Sequence, residues 1–220
     1  MKKTFLILTF LLSQLSVSAS MIVFEDQFTT DSLGSTWTVG WTVGTTSAVG
    51  HITGDYFNSS INTSGNSDHS GVHFDAGGNE IAATGDGYLA LGTGNRPPVN
   101  SIETTLSVTA GTTYDIYFRH AGAPNTNPQR VTATMTLGGD SSSTGIIDAT
   151  NNVWNTASFS FTPAASGNAT LRFDDTGSSS SSNDLLLDSV LVSAIPEPGS
   201  MLMALTGGLL LLHLRRLRRK

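Results

Sequence analysis

Between residues 20 and 195 the apolar positions of this chain recur every second residue. Trp37, Val39, Trp41 and Val43 alternate with Thr38, Gly40, Thr42 and Gly44, and Ile102, Thr104, Leu106 and Val108 repeat the pattern. The same period runs through Tyr114, Ile116, Phe118 and His120, through Val131, Ala133, Met135 and Leu137, through Ala157, Phe159 and Phe161, and through Ala169, Leu171 and Phe173. A period of two sends successive side chains to opposite faces, so each run predicts a strand with one dry face and one wet face. Turn clusters separate the runs: Gly85-Asp86-Gly87, Gly92-Thr93-Gly94-Asn95, Ala110-Gly111, Gly138-Gly139-Asp140 and Thr176-Gly177. No part of this segment carries a sustained helical stripe. The pattern predicts an all-β fold, an antiparallel β-sandwich of about eight to ten strands in the size range of a jelly roll.

Two segments break the rhythm. Residues 44–80 are rich in Gly, Ser, Asn and Asp with scattered aromatics, which predicts long loops around one or two irregular strands. Ser178 to Ser182 is a polar tract that cannot form a packed core, so it reads as a loop before the last strand. That last strand, around Leu185–Val192, is apolar in both phases. In a strict alternation Asp188 shares its phase with Leu186, Val190 and Val192 and sits in a strand buried on both faces, where a carboxylate is costly unless it is paired or metal-bound.

The two ends differ from the middle. Lys2 and Lys3, the apolar run Phe5 to Leu12, and Val17-Ser18-Ala19 form the three parts of a secretory signal peptide, residues 1–19, with cleavage expected after Ala19. At the other end Pro196-Glu197-Pro198 is stiff and donor-poor, and it precedes an apolar run from 199 to 214 that would span roughly 24 Å as a helix. A basic tail, 215–220, follows and would hold that end of a single transmembrane helix on the cytoplasmic side. The predicted organisation is therefore a signal helix, one ectodomain over 20–195, and a tail segment over 196–220. With the ends set aside, the middle holds four arginines (Arg96, Arg119, Arg130, Arg172) against sixteen Asp and Glu, a net of −12. Such a surface repels phosphate backbones, so no nucleic-acid partner is expected. With no cysteine the domain folds without disulfides.

The order Pro196-Glu197-Pro198, short apolar helix, basic terminus resembles the PEP-CTERM sorting signal of Gram-negative bacteria. The resemblance implies recognition by an exosortase, with Pro196, Glu197 and Pro198 as recognition residues, an inner-membrane-anchored intermediate, and delivery to the cell surface or to an extracellular matrix rich in exopolysaccharide. The middle, through Phe24-Glu25, Gly40-Trp41-Thr42-Val43, Gly87-Tyr88-Leu89-Ala90-Leu91-Gly92, Ala110-Gly111-Thr112-Thr113-Tyr114 and Leu187-Asp188-Ser189-Val190, is similar to galactose-binding-like jelly rolls of carbohydrate-binding modules. In many of these an early Glu and a late Asp hold a structural calcium ion. The matching positions here are Glu25 and Asp188, with Asp26 as a possible helper, and the late motif departs from the common Asp-Asn-Val by reading Asp-Ser-Val.

Further candidates come from the residues themselves. Calcium takes hard oxygen ligands and suits an acidic exported domain; an arginine partner or a wet strand end would serve Asp188 equally. His69 and His73 lie four apart, which on a strand is too far for one ion, so they read as solvated loop histidines. Trp37 and Trp41 share a face with valines and read as core, whereas Trp154 is out of phase with Ala157, Phe159 and Phe161 and lies at a packed bulge or on the outer face. Trp154, Tyr117 and Tyr56 are the candidate sugar-contacting aromatics. Motifs for a serine nucleophile elbow, a phosphate-binding loop or a zinc protease are absent, and no cysteine nucleophile exists. The leading expectation is a non-enzymatic matrix protein that binds polysaccharide; a structural protein without a specific ligand and a small glycan-active hydrolase are the alternatives.

Overall fold

The computed structural model describes residues 20–28, 41–43, 49–53, 72–82, 87–91, 101–122, 129–151, 153–177 and 185–195. The signal segment, Tyr56, the Pro196-Glu197-Pro198 motif and the apolar run 199–214 lie outside these. Among the described residues no helix is long and apolar enough to cross a membrane.

All regular structure described is strand. The order is β1 (Met21–Asp26), β2 (Trp41–Val43), β3 (Val49–Thr53), β4 (Val72–Phe74), β5 (Glu80–Ala82), β6 (Gly87–Leu91), β7 (Ser101–Val108), β8 (Thr113–Gly122), β9 (Gln129–Leu137), β10 (Asp140–Ser143), β11 (Ile147–Ala149), β12 (Asn155–Phe161), β13 (Gly167–Asp175) and β14 (Leu185–Ile195). Twelve of them make two antiparallel six-stranded sheets. Sheet A runs β12-β8-β14-β6-β3 with β1 also on β14, and sheet B runs β10-β9-β13-β7-β2 with β11 on β9. The strands β4 and β5 form a separate hairpin. The count exceeds the expected eight to ten because several members, β2, β10 and β11 among them, are pieces of only three or four residues.

The five period-two runs between 102 and 173 are the strands β7, β8, β9, β12 and β13, and their apolar phase points between the sheets. Ile116, Phe118, Leu187 and Val192 from sheet A meet Ile102, Met135, Leu171 and Phe173 from sheet B. Burying a side chain of this size stabilises the fold by roughly 1.5–3 kcal/mol, so these facing rows dominate the energetics. Phe118 meets Phe173 edge to face at 5.0 Å. Trp41 belongs to this core, as its phase predicts. It packs on Phe24 and Phe173, and its Nε1–H donates to Asp26 Oδ2 at 2.7 Å.

The last strand occupies the middle of sheet A. On one side β14 pairs with β8 along nearly its whole length; on the other it pairs with β6 through Leu185–Leu187 and with β1 through Val190–Ala194. A bulge interrupts it: Asp188 lies opposite Arg119 and Leu191 opposite Tyr117, three steps on β14 against two on β8. The extra residue is Ser189, with φ of 52°. It reverses the phase, so Leu187 and Val190 both enter the core and Asp188 shares the outer face with Leu186. The expectation that Asp188 is in phase with Val190 and Val192 is thus corrected. Its burial, at 1% exposure, is as the apolar surroundings predict.

Candidate functional site: the outer face of sheet A and its hairpin

Because Tyr114, Ile116 and Phe118 fill the core, alternation sends Asp115, Tyr117 and Arg119 of β8 to the opposite, outer face. Leu186, Asp188 and Leu191 of β14 and Tyr88 of β6 join them. This face is not an open platform: Tyr88, Leu186, Asp188 and Leu191 are all buried.

Part of the cover is the β4–β5 hairpin. Its turn is built by Asp75, whose Oδ1 accepts the N–H groups of Gly77 at 2.8 Å and Asn79 at 3.0 Å. The Asn79 side-chain amide also donates to both oxygens, and this bond first, then the backbone ones, hold the Asp75 carboxyl below its ordinary range. The hairpin then lies on the sheet through several contacts. The Phe74 ring tilts against Tyr117 at 5.6 Å between centroids. Gly78 lies against the phenol end of the same ring, so close that a Cβ there would stand 2.1 Å from Cζ. Glu80 pairs with Arg119 at 2.8 Å and accepts a hydrogen bond from the Thr156 hydroxyl. The Ser189 hydroxyl, presented by the bulge, donates to the Val72 carbonyl. Under this cover the Tyr117 phenol is pushed above its ordinary value, first by burial and then by the charges of Asp115 and Asp75.

Toward β6 the face is aromatic. Trp154 precedes β12 and meets Tyr88 edge on at 5.9 Å, over Ala121 and Leu186. The indole is half-buried and packs on the outer face of sheet A against these residues. Its Nε1–H is buried without a hydrogen-bond partner among the described residues, and its carbonyl accepts a long bond from Arg119 at 3.4 Å. Tyr117 and Trp154 therefore share one face, with the Arg119 guanidinium reaching between the hairpin and the tryptophan.

The two carboxylates expected to hold calcium flank one strand, β4. Glu25 accepts from Gln27 Nε2 at 2.7 Å and lies 3.3 Å from His73 Nδ1, while Gln27 and His73 are also hydrogen-bonded to each other. Asp188 Oδ1 accepts the Ser189 N–H at 2.7 Å, and Ser189 in turn meets Val72, the neighbour of His73. No three His, Cys, Asp or Glu side chains gather as a metal site among the described residues. Calcium takes oxygen ligands, and the oxygens beside β4 are the Glu25 carboxylate, the Gln27 side-chain amide just past β1, and the Val72 carbonyl, which already accepts from Ser189; Asp188 is one residue from that serine. Asp26 is committed elsewhere, with Oδ1 on the Phe28 N–H and Oδ2 on Trp41, so its helper role is not supported by this geometry.

Sequence reasoning missed the hairpin contacts. His73, read as a solvated loop residue, lies on β4 and is engaged by Glu25 and Gln27. The signal was present: Asp75-Ala76-Gly77-Gly78-Asn79 is turn chemistry flanked by Val72, Phe74 and Ile81. At the end of β13, Asp174 accepts from Arg172 through both oxygens and Asp175 is buried.

No family model and no curated protein matches this sequence. Solved structures do. The CBM22-1 xylan-binding domain from Paenibacillus barcinonensis superposes with a TM-score of 0.50 at 16% identity, over 82% of this chain and 99% of that one. The tandem CBM22-1–CBM22-2 domain of the same organism gives 0.50 at 15% identity, over 82% of this chain and 47% of that one. A CBM61 structure in complex with β-1,4-galactotriose gives 0.46 at 13% identity, over 70% and 88% of the two chains. At such identities the likeness of the first two establishes the fold, a carbohydrate-binding-module-type β-sandwich.

Proposed function

We propose that this chain is a non-enzymatic glycan-binding protein of the cell surface or extracellular matrix, exported by its signal segment and sorted by an exosortase through Pro196, Glu197 and Pro198. The observation that carries the glycan reading is the superposition on a xylan-binding domain over nearly all of that domain's length. The outer face of sheet A supports it chemically. It combines aromatic rings, whose apolar faces suit the C–H faces of sugars, with Arg119 and Glu80, whose charges suit hydroxyl groups. A net of −12 over residues 20–195 favours a neutral polysaccharide over a polyanion.

In this reading a calcium ion is a structural component. Glu25 and Asp188 would hold it, and it would fasten β1, β4 and β14 together without taking part in ligand chemistry. The packing of Tyr88 and Trp154 against each other supports a second reading, a structural matrix protein with no specific ligand. Affinity electrophoresis through gels containing soluble xylan or the exopolysaccharide of the source bacterium separates the two. Retardation in one of these gels, reduced at least several-fold by Tyr117→Ala, is the expected result; migration unchanged in every gel supports the structural reading. Incubation with the same glycans should release no reducing ends, and their release would instead support the hydrolase alternative.

A further inference from the structure

The hairpin β4–β5 lies over the part of the outer face of sheet A that carries Tyr117 and Arg119. Gly78 is seated against the Tyr117 ring, with Cζ, Cε1 and Cε2 as the nearest atoms to its missing Cβ at 2.1, 2.4 and 2.6 Å. Contact with that part of the ring is what a stacked sugar would need. The seat is specific to glycine on two counts, since φ at this position is 77°, in the left-handed region, and any side chain would enter the ring.

The attachment of the hairpin is of a kind that exchanges readily. It forms its own two-stranded sheet, β4 with β5, and joins neither large sheet by a strand ladder. Phe74 is its one fully buried large side chain. Its other anchors are polar: Glu80 on Arg119 and Thr156, Val72 on Ser189, and His73 on Glu25 and Gln27. Glu80 is 44% exposed, so water already reaches one end of the strut to Arg119. Hydroxyl groups of a sugar offer Arg119 the same hydrogen bonds that Glu80 and Thr156 supply, and a sugar ring offers Tyr117 the same contact that Gly78 supplies.

We infer that the β4–β5 hairpin is a self-ligand of sheet A: a lid whose Gly78 and Glu80 occupy the Tyr117–Arg119 subsite, and whose displacement admits the glycan. The inference rests on the glycan-binding reading above and adds a regulated step to it. Binding then follows a closed-to-open equilibrium, and affinity is reduced by the fraction of molecules in which the hairpin is seated.

The test uses two independent readouts on the full chain, nitration of Tyr117 by tetranitromethane, located by mass spectrometry, and affinity for soluble xylan and β-1,4-galactotriose. Gly78→Ala cannot seat against the ring; Glu80→Ala removes the strut without adding bulk and serves if the first variant fails to fold. Both should nitrate Tyr117 faster than the parent and bind at least one of the two glycans more tightly, on the order of tenfold if the parent is mostly closed. Adding Tyr117→Ala to either should abolish the gain. Faster nitration with affinity equal to that of a glycan-binding parent would overturn the lid and leave the glycan reading standing. Faster nitration with no binding by parent or variants would overturn both for these glycans. Unchanged nitration in both variants would show that the hairpin does not depend on this seat, and would also overturn the inference.

Discussion

His120 is the residue whose chemistry is most altered by the fold. It follows Phe118 in the inward phase of β8, its ring lies 5.8 Å from that phenyl, and its Nδ1 has no hydrogen-bond partner among the described residues. Burial first, and the neighbouring charge of Arg119 second, lower its pKa from 6.5 to about 4. The unfolded chain therefore takes up a proton that the folded chain refuses. Stability is complete above the unfolded value and falls as pH drops through the interval down to the folded one, by on the order of 3 kcal/mol in total. Urea melts between pH 7 and 4 should show this loss, and His120→Leu should remove most of it; a parent and variant with parallel profiles would count against the assignment. A histidine in a strand of alternating apolar residues was legible as an inward position. Its altered acidity was not, because that depends on the second sheet, which the local pattern does not contain.

Among the elements, β14 combines the clearest sequence signal with the feature least visible in it. Apolar residues in both phases announce a central strand, and β14 is central. A continuous apolar run gives no period from which to locate a bulge, so the reversal of phase at Ser189 could not be read. The left-handed φ of Ser189 makes a sharp prediction. Ser189→Val should destabilise by about 2–4 kcal/mol, from the strained β-branched residue and from the lost bond to Val72, whereas Ser189→Gly should stay within about 1 kcal/mol of the parent. Equal denaturation midpoints for the two variants would mean that the bulge tolerates side chains that its backbone angle should reject. The hairpin shows the opposite case: its turn chemistry was legible at Asp75-Ala76-Gly77-Gly78-Asn79, but its landing place on Tyr117, some forty residues later, was not.

At the scale of the whole molecule, two sheets with facing apolar rows could be anticipated because five long strands carry an unbroken period of two. The candidate site could not, because its members come from β1, β4, β5, β6, β8, β12 and β14, and only the tertiary arrangement makes them neighbours. Calcium is a question for the molecule as a whole, since the ion proposed at Glu25 and Asp188 would join three strands from the start, middle and end of the domain. Binding to the folded state alone raises the melting temperature, and for a domain of this size each kcal/mol corresponds to about 2–4 °C. A chelator should lower the midpoint by about 5 °C or more, with recovery on added calcium but not magnesium. A midpoint indifferent to the chelator would remove the ion from the account.

The position of β14 also governs when the fold can form. Its partners β1, β6 and β8 all precede it, with Met21 of β1 paired to Ala194 of β14, and in sheet A no two of these partners pair with each other. A chain emerging from N- to C-terminus can close sheet B, whose last member ends at Asp175, but sheet A has no middle until the residues up to Ile195 are available. Assembly is then dominated by late, long-range closure, the regime of slow folding. Until the residues up to Ile195 have been made, sheet A cannot close, and the polypeptide before them remains threadable.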